Sequence, residues 1–128
     1  PVSVVEEATF LVVDDNTDSA ESLALLLEPR VSSVRTAHDG AEALAALADE
    51  GVDVVLLDLG LPGMDGYEVC RHIRARAGER VAIVAVTGWG QLEDRRRSRA
   101  AGFDAHLVKP VALEALLPTV ERVLCGMR

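Results

Sequence analysis

Five side chains in this sequence have the types and positions to do chemistry together. Asp14 and Asp15 follow the apolar run FLVV at residues 10–13, and Asp58 ends the run VDVVLLD. Thr87 closes VAIVAV, and Lys109 follows AHLV at residues 105–108. Three carboxylates brought into one pocket repel each other, and two ways out exist: protons are retained through raised pKa values, or a hard cation binds. Oxygen donors without His or Cys suit Mg²⁺, which keeps several waters and takes few protein carboxylates. Lys109 offers a point positive charge and Thr87 a hydroxyl donor. A cation, a lysine and a hydroxyl donor are the parts that stabilise a phosphoryl group in transfer. Asp58 is the carboxylate best placed to attack phosphorus and form an acyl phosphate.

That chemistry requires the chain to bring the five residues to one place. Residues 52–66, VDVVLLDLGLPGMDG, form an apolar, β-branched run that ends in one carboxylate and passes into a Gly/Pro-rich loop. Such a run reads as a strand buried on both faces of a parallel sheet, and open α/β sheets put their ligands at the C-terminal ends of strands. Residues 10–13 and 81–86 read as further buried strands, with weaker ones at 34–37 and 105–108. Asn16, Thr17 and Asp18 are capping types ahead of a helix carrying Leu23, Leu25, Leu26 and Leu27, which Pro29 stops near Glu28. Asp39-Gly40 marks a turn before the helix former AEALAALAD. Helices are predicted from about residue 67 to 75, 92 to 101 (closed by Gly102) and 113 to 124. Five strands alternating with five helices through short loops mean a parallel sheet with helices on both faces, because right-handed crossovers permit little else. All five chemical residues then meet at one sheet edge.

The 128 residues suffice for one domain with a single ordinary core, residues 1–128, with no repeat or linker. The net charge of −8 argues against general binding of nucleic acid or membrane surfaces. No apolar stretch approaches the ~20 residues of a membrane span, and no signal peptide is visible. Cys70 and Cys125 show no metal-ligand spacing and read as two reduced thiols in a cytoplasmic protein. The first residue is Pro1, which fits a chain trimmed or cut from something longer.

The sequence resembles a receiver domain of the bacterial two-component response-regulator family, over about residues 10–124. The resemblance is carried by Asp14-Asp15, DLGLPGMDG, Thr87-Gly88 and Lys109-Pro110. Each alone is weak, and all four in order at strand ends are highly specific. It implies a flavodoxin-like, doubly wound fold with strand order 2-1-3-4-5, the order for which a chemotaxis member of the family is a familiar example. It implies that Asp58 accepts a phosphoryl group from a phosphohistidine on a sensor histidine kinase or histidine phosphotransfer domain. Asp15, Asp58 and the backbone carbonyl of Gly60 are implied to ligate Mg²⁺, with Asp14 acting through water. Lys109 is implied to pair with the phosphoryl group and Thr87 to turn inward toward it. A cis peptide between Lys109 and Pro110 is a usual family feature, accessible because X–Pro bonds tolerate cis. A C-terminal receiver of a hybrid sensor kinase is compatible with these features.

The sequence also departs from the family. Members usually carry Tyr or Phe three residues before the lysine, where the ring swings inward with the threonine; here His106 stands there, a smaller ring that can charge near neutral pH. Pro118 falls inside the last helix, where it removes a hydrogen bond and can cost ~3 kcal/mol unless a kink absorbs it. With the arginine run on the fourth helix, this leads to an isolated domain that is monomeric or weakly dimeric. Arg95, Arg96, Arg97 and Arg99 read first as a solvated face, and second as a docking surface for an acidic partner. Met64 reads as an apolar plug, and Trp89 as a pocket cover or a partner contact. His38 and His72 have no evident partners.

Three other functions compete. An aspartyl-phosphate phosphatase commonly has a second Asp two residues after its nucleophile, and Gly60 occupies that position. A flavodoxin-like FMN carrier would need a Ser/Thr/Gly-rich phosphate loop where this chain has the acidic DDNTDS. A phosphorylation-independent scaffold has no use for the complete acidic set. The reading is therefore a signalling domain that catalyses its own phosphorylation and dephosphorylation, not a turnover enzyme.

Overall fold

The computed structural model describes residues 4–49, 51–61, 63–78, 80–88 and 95–126. Five strands, β1 (Thr9–Val13), β2 (Ser33–Ala37), β3 (Val54–Asp58), β4 (Ala82–Thr87) and β5 (Ala105–Val108), alternate with five helices. These are α1 (Thr17–Leu27), α2 (Gly40–Asp49), α3 (Gly66–Ala77), α4 (Arg95–Ala101) and α5 (Leu113–Gly126). The strands are all parallel and lie in the order β2-β1-β3-β4-β5. The doubly wound architecture is thus as expected, with β3 at its centre.

Strand periodicity explains how the three inner strands serve two cores at once. Leu11, Val13, Val55, Leu57, Ile83 and Ala85 point to one face, where they meet Val69 and Ile73 of α3 and Ala43 of α2. Phe10, Val12, Val54, Leu56, Val84 and Val86 point to the other, against Ala20 and Leu27 of α1 and Leu116 and Val120 of α5. Covering both faces leaves the strand ends as the place where polar groups can gather.

Caps set where the helices start. The Asn16 side chain accepts from Ser19 N–H at 2.9 Å, and Asp65 accepts from Glu68 N–H at 3.0 Å. Asp39 accepts from Glu42 N–H at 2.8 Å, while the Glu42 carboxylate reaches back to His38 N–H at 3.1 Å. The bonds to Ser19, Glu68 and Glu42 occupy N–H groups that the first helical turn leaves without a partner, and the one to His38 ties the preceding residue to the same turn.

Some boundaries differ from the sequence reading. Pro29 does not simply end α1; it sits within a single 3₁₀ turn, Glu28–Arg30, that continues it. A proline is accommodated at the start of such a turn because its missing N–H is not needed there. α3 runs on to Ala77 and ends at Gly78, whose φ of 63° suits glycine. α5 continues through Pro118 to Gly126, and Thr119 Oγ1 donates to Ala115 O at 2.8 Å one turn earlier. α4 is described from Arg95; the expected start at residue 92, and Trp89, lie outside the described residues. Met64 packs against the α2–α3 core, as an apolar plug would.

Candidate functional site: an acidic pocket at the C-terminal sheet edge

Because the strands are parallel, β1, β3, β4 and β5 deliver Asp14, Asp58, Thr87 and Lys109 to the same edge. Asp14 and Asp58 are both buried. Lys109 Nζ donates to Asp58 Oδ2 at 2.9 Å and to Asp14 Oδ2 at 3.2 Å, so one ammonium bridges two carboxylates. The remaining oxygens are held by backbone: Asp14 Oδ1 accepts from Asn16 N–H and Asp58 Oδ1 from Gly60 N–H, each at 2.9 Å. Asp15 is exposed beside them, and carboxylate oxygens of Asp14, Asp15 and Asp58 lie within 4.8 Å of one another.

The charges do not cancel. Three carboxylates face one ammonium, leaving two negative charges in excess. Burial pushes the Asp14 carboxyl above its usual range; the Asn16 N–H and the Lys109 charge oppose this, and the neighbouring Asp58 adds to it. Burial pulls Lys109 the other way, but its hydrogen bond to Asp58 and the charges of Asp58 and Asp14 outweigh that and raise its pKa. The all-oxygen donor set fits a hard divalent cation such as Mg²⁺, which would relieve the excess charge.

The β3–α3 loop is shaped for close approach. A Cβ at Gly66 would lie 2.7 Å from Leu59 Cα and 2.8 Å from Asp58 O, so only glycine lets the start of α3 fold back against the end of β3. Gly66 N–H donates to Leu59 O at 3.3 Å in that position. The loop's return keeps Gly60 N–H on the Asp58 carboxylate.

Thr87 is fully buried, and its hydroxyl reaches Leu107 O at 3.5 Å. His106 pairs with Ala85 across β4 and β5, while Thr87 pairs with Val108. Thr87 and His106 are therefore diagonal neighbours on one sheet face. The imidazole is half-buried with Nε2 inside, and its ring lies 6.2 Å from that of Phe103. Lys109 N–H donates to Thr87 O at 2.8 Å, and the Lys109–Pro110 peptide is cis.

Two structural residues escaped the sequence reading, one at this edge and one at the opposite end of the sheet. His38 Nδ1 lies 3.2 Å from Asp14 O; the signal was its position just before the Asp39-Gly40 turn, at a strand end. Arg74 binds Gly102 O, Gly78 O and Val81 O and pairs with Asp104 at 2.6 Å, tying α3 to the turn before β5. On α4, Arg97 is not only a solvated charge: its guanidinium lies 4.0 Å above the Tyr67 ring and 3.6 Å from Asp65 Oδ2.

Residues 10–121 match the family model of the response regulator receiver domain. The chain belongs to the response-regulator receiver family. It is 40% identical over 115 residues to the response regulator MprA of Mycobacterium avium, covering 90% of this chain and 50% of that protein. MprA of Mycobacterium tuberculosis strain H37Rv matches to the same extent. The chain thus spans about half the length of the curated relatives it matches. Among solved structures, a CheY-like receiver domain protein from Methanospirillum hungatei aligns with a TM-score of 0.85 at 31% identity, covering 94% of this chain and 95% of that one. The receiver domain of Ssk1, solved with the histidine phosphotransfer protein Ypd1 of Saccharomyces cerevisiae, aligns with a TM-score of 0.85 at 27% identity, covering 98% and 94%. Phosphorylation on Asp and use of Mg²⁺ are typical of receiver domains. No helix among the described residues is long and apolar enough to cross a membrane.

Proposed function

We propose that this receiver domain takes a phosphoryl group from a phosphohistidine onto Asp58 and returns it to water, with all of residues 1–128 acting as one phosphoacceptor module. The observation that carries this reading is the Lys109 ammonium shared between Asp14 and Asp58, with Asp15 beside them. Asp15, Asp58 and the Gly60 carbonyl would hold Mg²⁺, with Asp14 acting through water. Bound there, the ion supplies positive charge for the phosphoryl oxygens.

An Asp58 carboxylate oxygen forms the new bond to phosphorus as the phosphorus–nitrogen bond breaks, and the electron pair leaves with the donor imidazole. Lys109, already 2.9 Å from Asp58, is within a short side-chain movement of the arriving phosphoryl oxygens. The Thr87 hydroxyl exchanges its long bond to Leu107 O for one to the phosphoryl group, and His106 responds beside it. The donor is a sensor histidine kinase or a phosphotransfer domain in the cytoplasm; the pairing of Ypd1 with the Ssk1 receiver supports this partner class. Relatives named as response regulators favour that setting over a hybrid kinase.

The test is incubation with acetyl phosphate or a phosphohistidine donor in Mg²⁺, followed by intact-mass spectrometry. One added phosphate is expected, and none in Asp58→Asn. Full labelling of the Asn variant would move the acceptor elsewhere. Titration calorimetry with Mg²⁺ should show weak binding in the millimolar range; no heat at those concentrations would remove Asp14 and Asp15 from a metal site.

A further inference from the structure

We infer that His38, on the turn between β2 and α2, is a positioning residue for the acid pair. The inference rests on the metal-site reading above and extends it to a residue outside the acidic cluster.

Every polar group of Asp14 is engaged. Its side chain is held by Asn16 N–H and Lys109. Its backbone N–H donates to Ala37 O at 3.0 Å, and its carbonyl oxygen lies 3.2 Å from His38 Nδ1. Adjacent residues of β2 and its following turn thus grip both backbone groups of Asp14. A carbonyl only accepts, so the bond requires the ring proton on Nδ1. His38 is held in turn: its N–H donates to the Glu42 carboxylate, and Glu42 N–H is taken by Asp39 at the start of α2.

This bond bears on Asp15 rather than on Asp14 alone. The Asp14 carbonyl belongs to the planar peptide whose nitrogen is that of Asp15. Fixing that oxygen fixes the plane from which the Asp15 chain departs. Asp15 is the exposed member of the cluster, and none of its neighbours buries it. A buried carboxylate such as Asp58 is aimed by its surroundings, whereas an exposed one is aimed mainly by its backbone. His38 therefore supplies orientation that Asp15 otherwise lacks, and outer residues that orient ligands are typically worth about 10–100-fold in metal affinity.

Asparagine and glutamine separate this role from simple packing. Asn places an amide N–H close to the position of Nδ1, and Gln places it one bond further, nearer Nε2. Mg²⁺ affinity is measured by calorimetry on the full chain for wild type, Asp15→Asn, His38→Ala, His38→Asn and His38→Gln, with thermal unfolding of each. Asp15→Asn should weaken binding strongly. His38→Ala and His38→Gln should weaken it by roughly tenfold, the lower end of that range, while His38→Asn stays near wild type. If Asp15→Asn weakens binding and His38→Ala does not, the positioning role is overturned and the metal site stands. If all three His38 variants lose affinity equally and melt lower together, His38 acts by packing and the inference is again wrong. If Asp15→Asn leaves affinity unchanged, the metal-site reading fails and takes this inference with it.

Discussion

The acid cluster and the Thr87–His106 pair share one sheet edge but are held in opposite ways. Around Asp14 and Asp58, each carboxylate oxygen has a partner at 2.9–3.2 Å, drawn from the β1–α1 turn, the β3–α3 loop and the residue after β5. At Thr87 the hydroxyl makes a bond of 3.5 Å, at the outer limit of what counts as one. His106 lies opposite Ala85, a residue too small to wedge its ring. In the proposed transfer, the acid cluster is the end that meets the phosphoryl donor, and it is fixed in advance, as positioning chemistry demands. In the proposed switch, the Thr87 hydroxyl would give up only this long bond before turning, whereas a strongly bonded hydroxyl would have more to break.

The largest effect is expected where the fixed end depends on glycine. In Gly66→Ala the new methyl meets backbone atoms of Leu59 and Asp58 at 2.7 and 2.8 Å, and neither can rotate away. Forced overpacking of this kind costs about 2–3 kcal/mol. Denaturant unfolding should show that loss, together with weaker Mg²⁺ binding as Gly60 is drawn off Asp58. A change below about 0.5 kcal/mol, the usual range for a harmless surface substitution, would mean that the loop tolerates displacement and the acid end is not rigid.

Lys109→Met comes next. It leaves two buried carboxylates facing each other; breaking a fully buried pair costs about 3–5 kcal/mol, and the 37% exposure of the lysine side chain argues for about 1–2 kcal/mol here. Mg²⁺ should return more stability to this variant than to wild type, since it binds only the folded acids. The pH dependence has a definite sign. The folded pKa of Lys109 is raised above 10.5, so its contribution is fully present below that value and is lost as pH rises through the folded one. The stability gap between wild type and Lys109→Met should hold through neutral pH and narrow only in strong alkali. A gap that closes by pH 9 would contradict the bridging role.

The contrast between the two ends also explains what the sequence alone could disclose. The acid end was legible because each of its residues directly follows an apolar run, and parallel strands bring such ends together regardless of strand order. That order itself was not readable from periodicity; it came from the likeness of the Asp14-Asp15, DLGLPGMDG and Lys109-Pro110 stretches to receiver domains. His38 was missed because its partner, Asp14, is a neighbour only through the pairing of β1 with β2. Arg74 was missed for the same reason, since its carbonyl partners lie on turns after α3 and α4. Pro29 was read as a stop because local propensity does not distinguish a chain break from a single 3₁₀ turn. The hydroxyl at Thr87 was found, but how weakly it is tied depends on sub-ångström distances that no pattern encodes.

His106→Tyr probes the loose end more gently. The smaller ring already leaves Nε2 inside, so the phenol must fill more space over Ala85 or swing out. A stability change within about 1 kcal/mol is expected, as for most tolerated size changes. The informative readout is methyl and histidine NMR with Mg²⁺ and beryllofluoride. Wild type should shift only partly at position 106, and the Tyr variant should move more completely together with Thr87. A complete, pH-independent shift in wild type would show that His106 is as tightly coupled as an aromatic residue.

The smallest effect should come from Thr87→Val in the resting protein. Valine keeps the shape of threonine and exchanges the hydroxyl for a methyl in a site that is fully buried. The hydroxyl's bond to Leu107 O is long enough that its loss removes little. The methyl adds a favourable apolar burial of about 0.8 kcal/mol at most, so the two nearly offset. The net change should stay within about 0.5 kcal/mol, well under the usual value of a sound hydrogen bond. The same variant should behave differently once beryllofluoride and Mg²⁺ are added, because the proposed bond from Thr87 to the phosphoryl mimic can no longer form. Unfolding should therefore show near-wild-type stability without the mimic and a smaller stability gain than wild type when the mimic is added. Should Thr87→Val destabilise the resting protein as much as Lys109→Met, the hydroxyl is a structural anchor, and both ends of this edge are built alike.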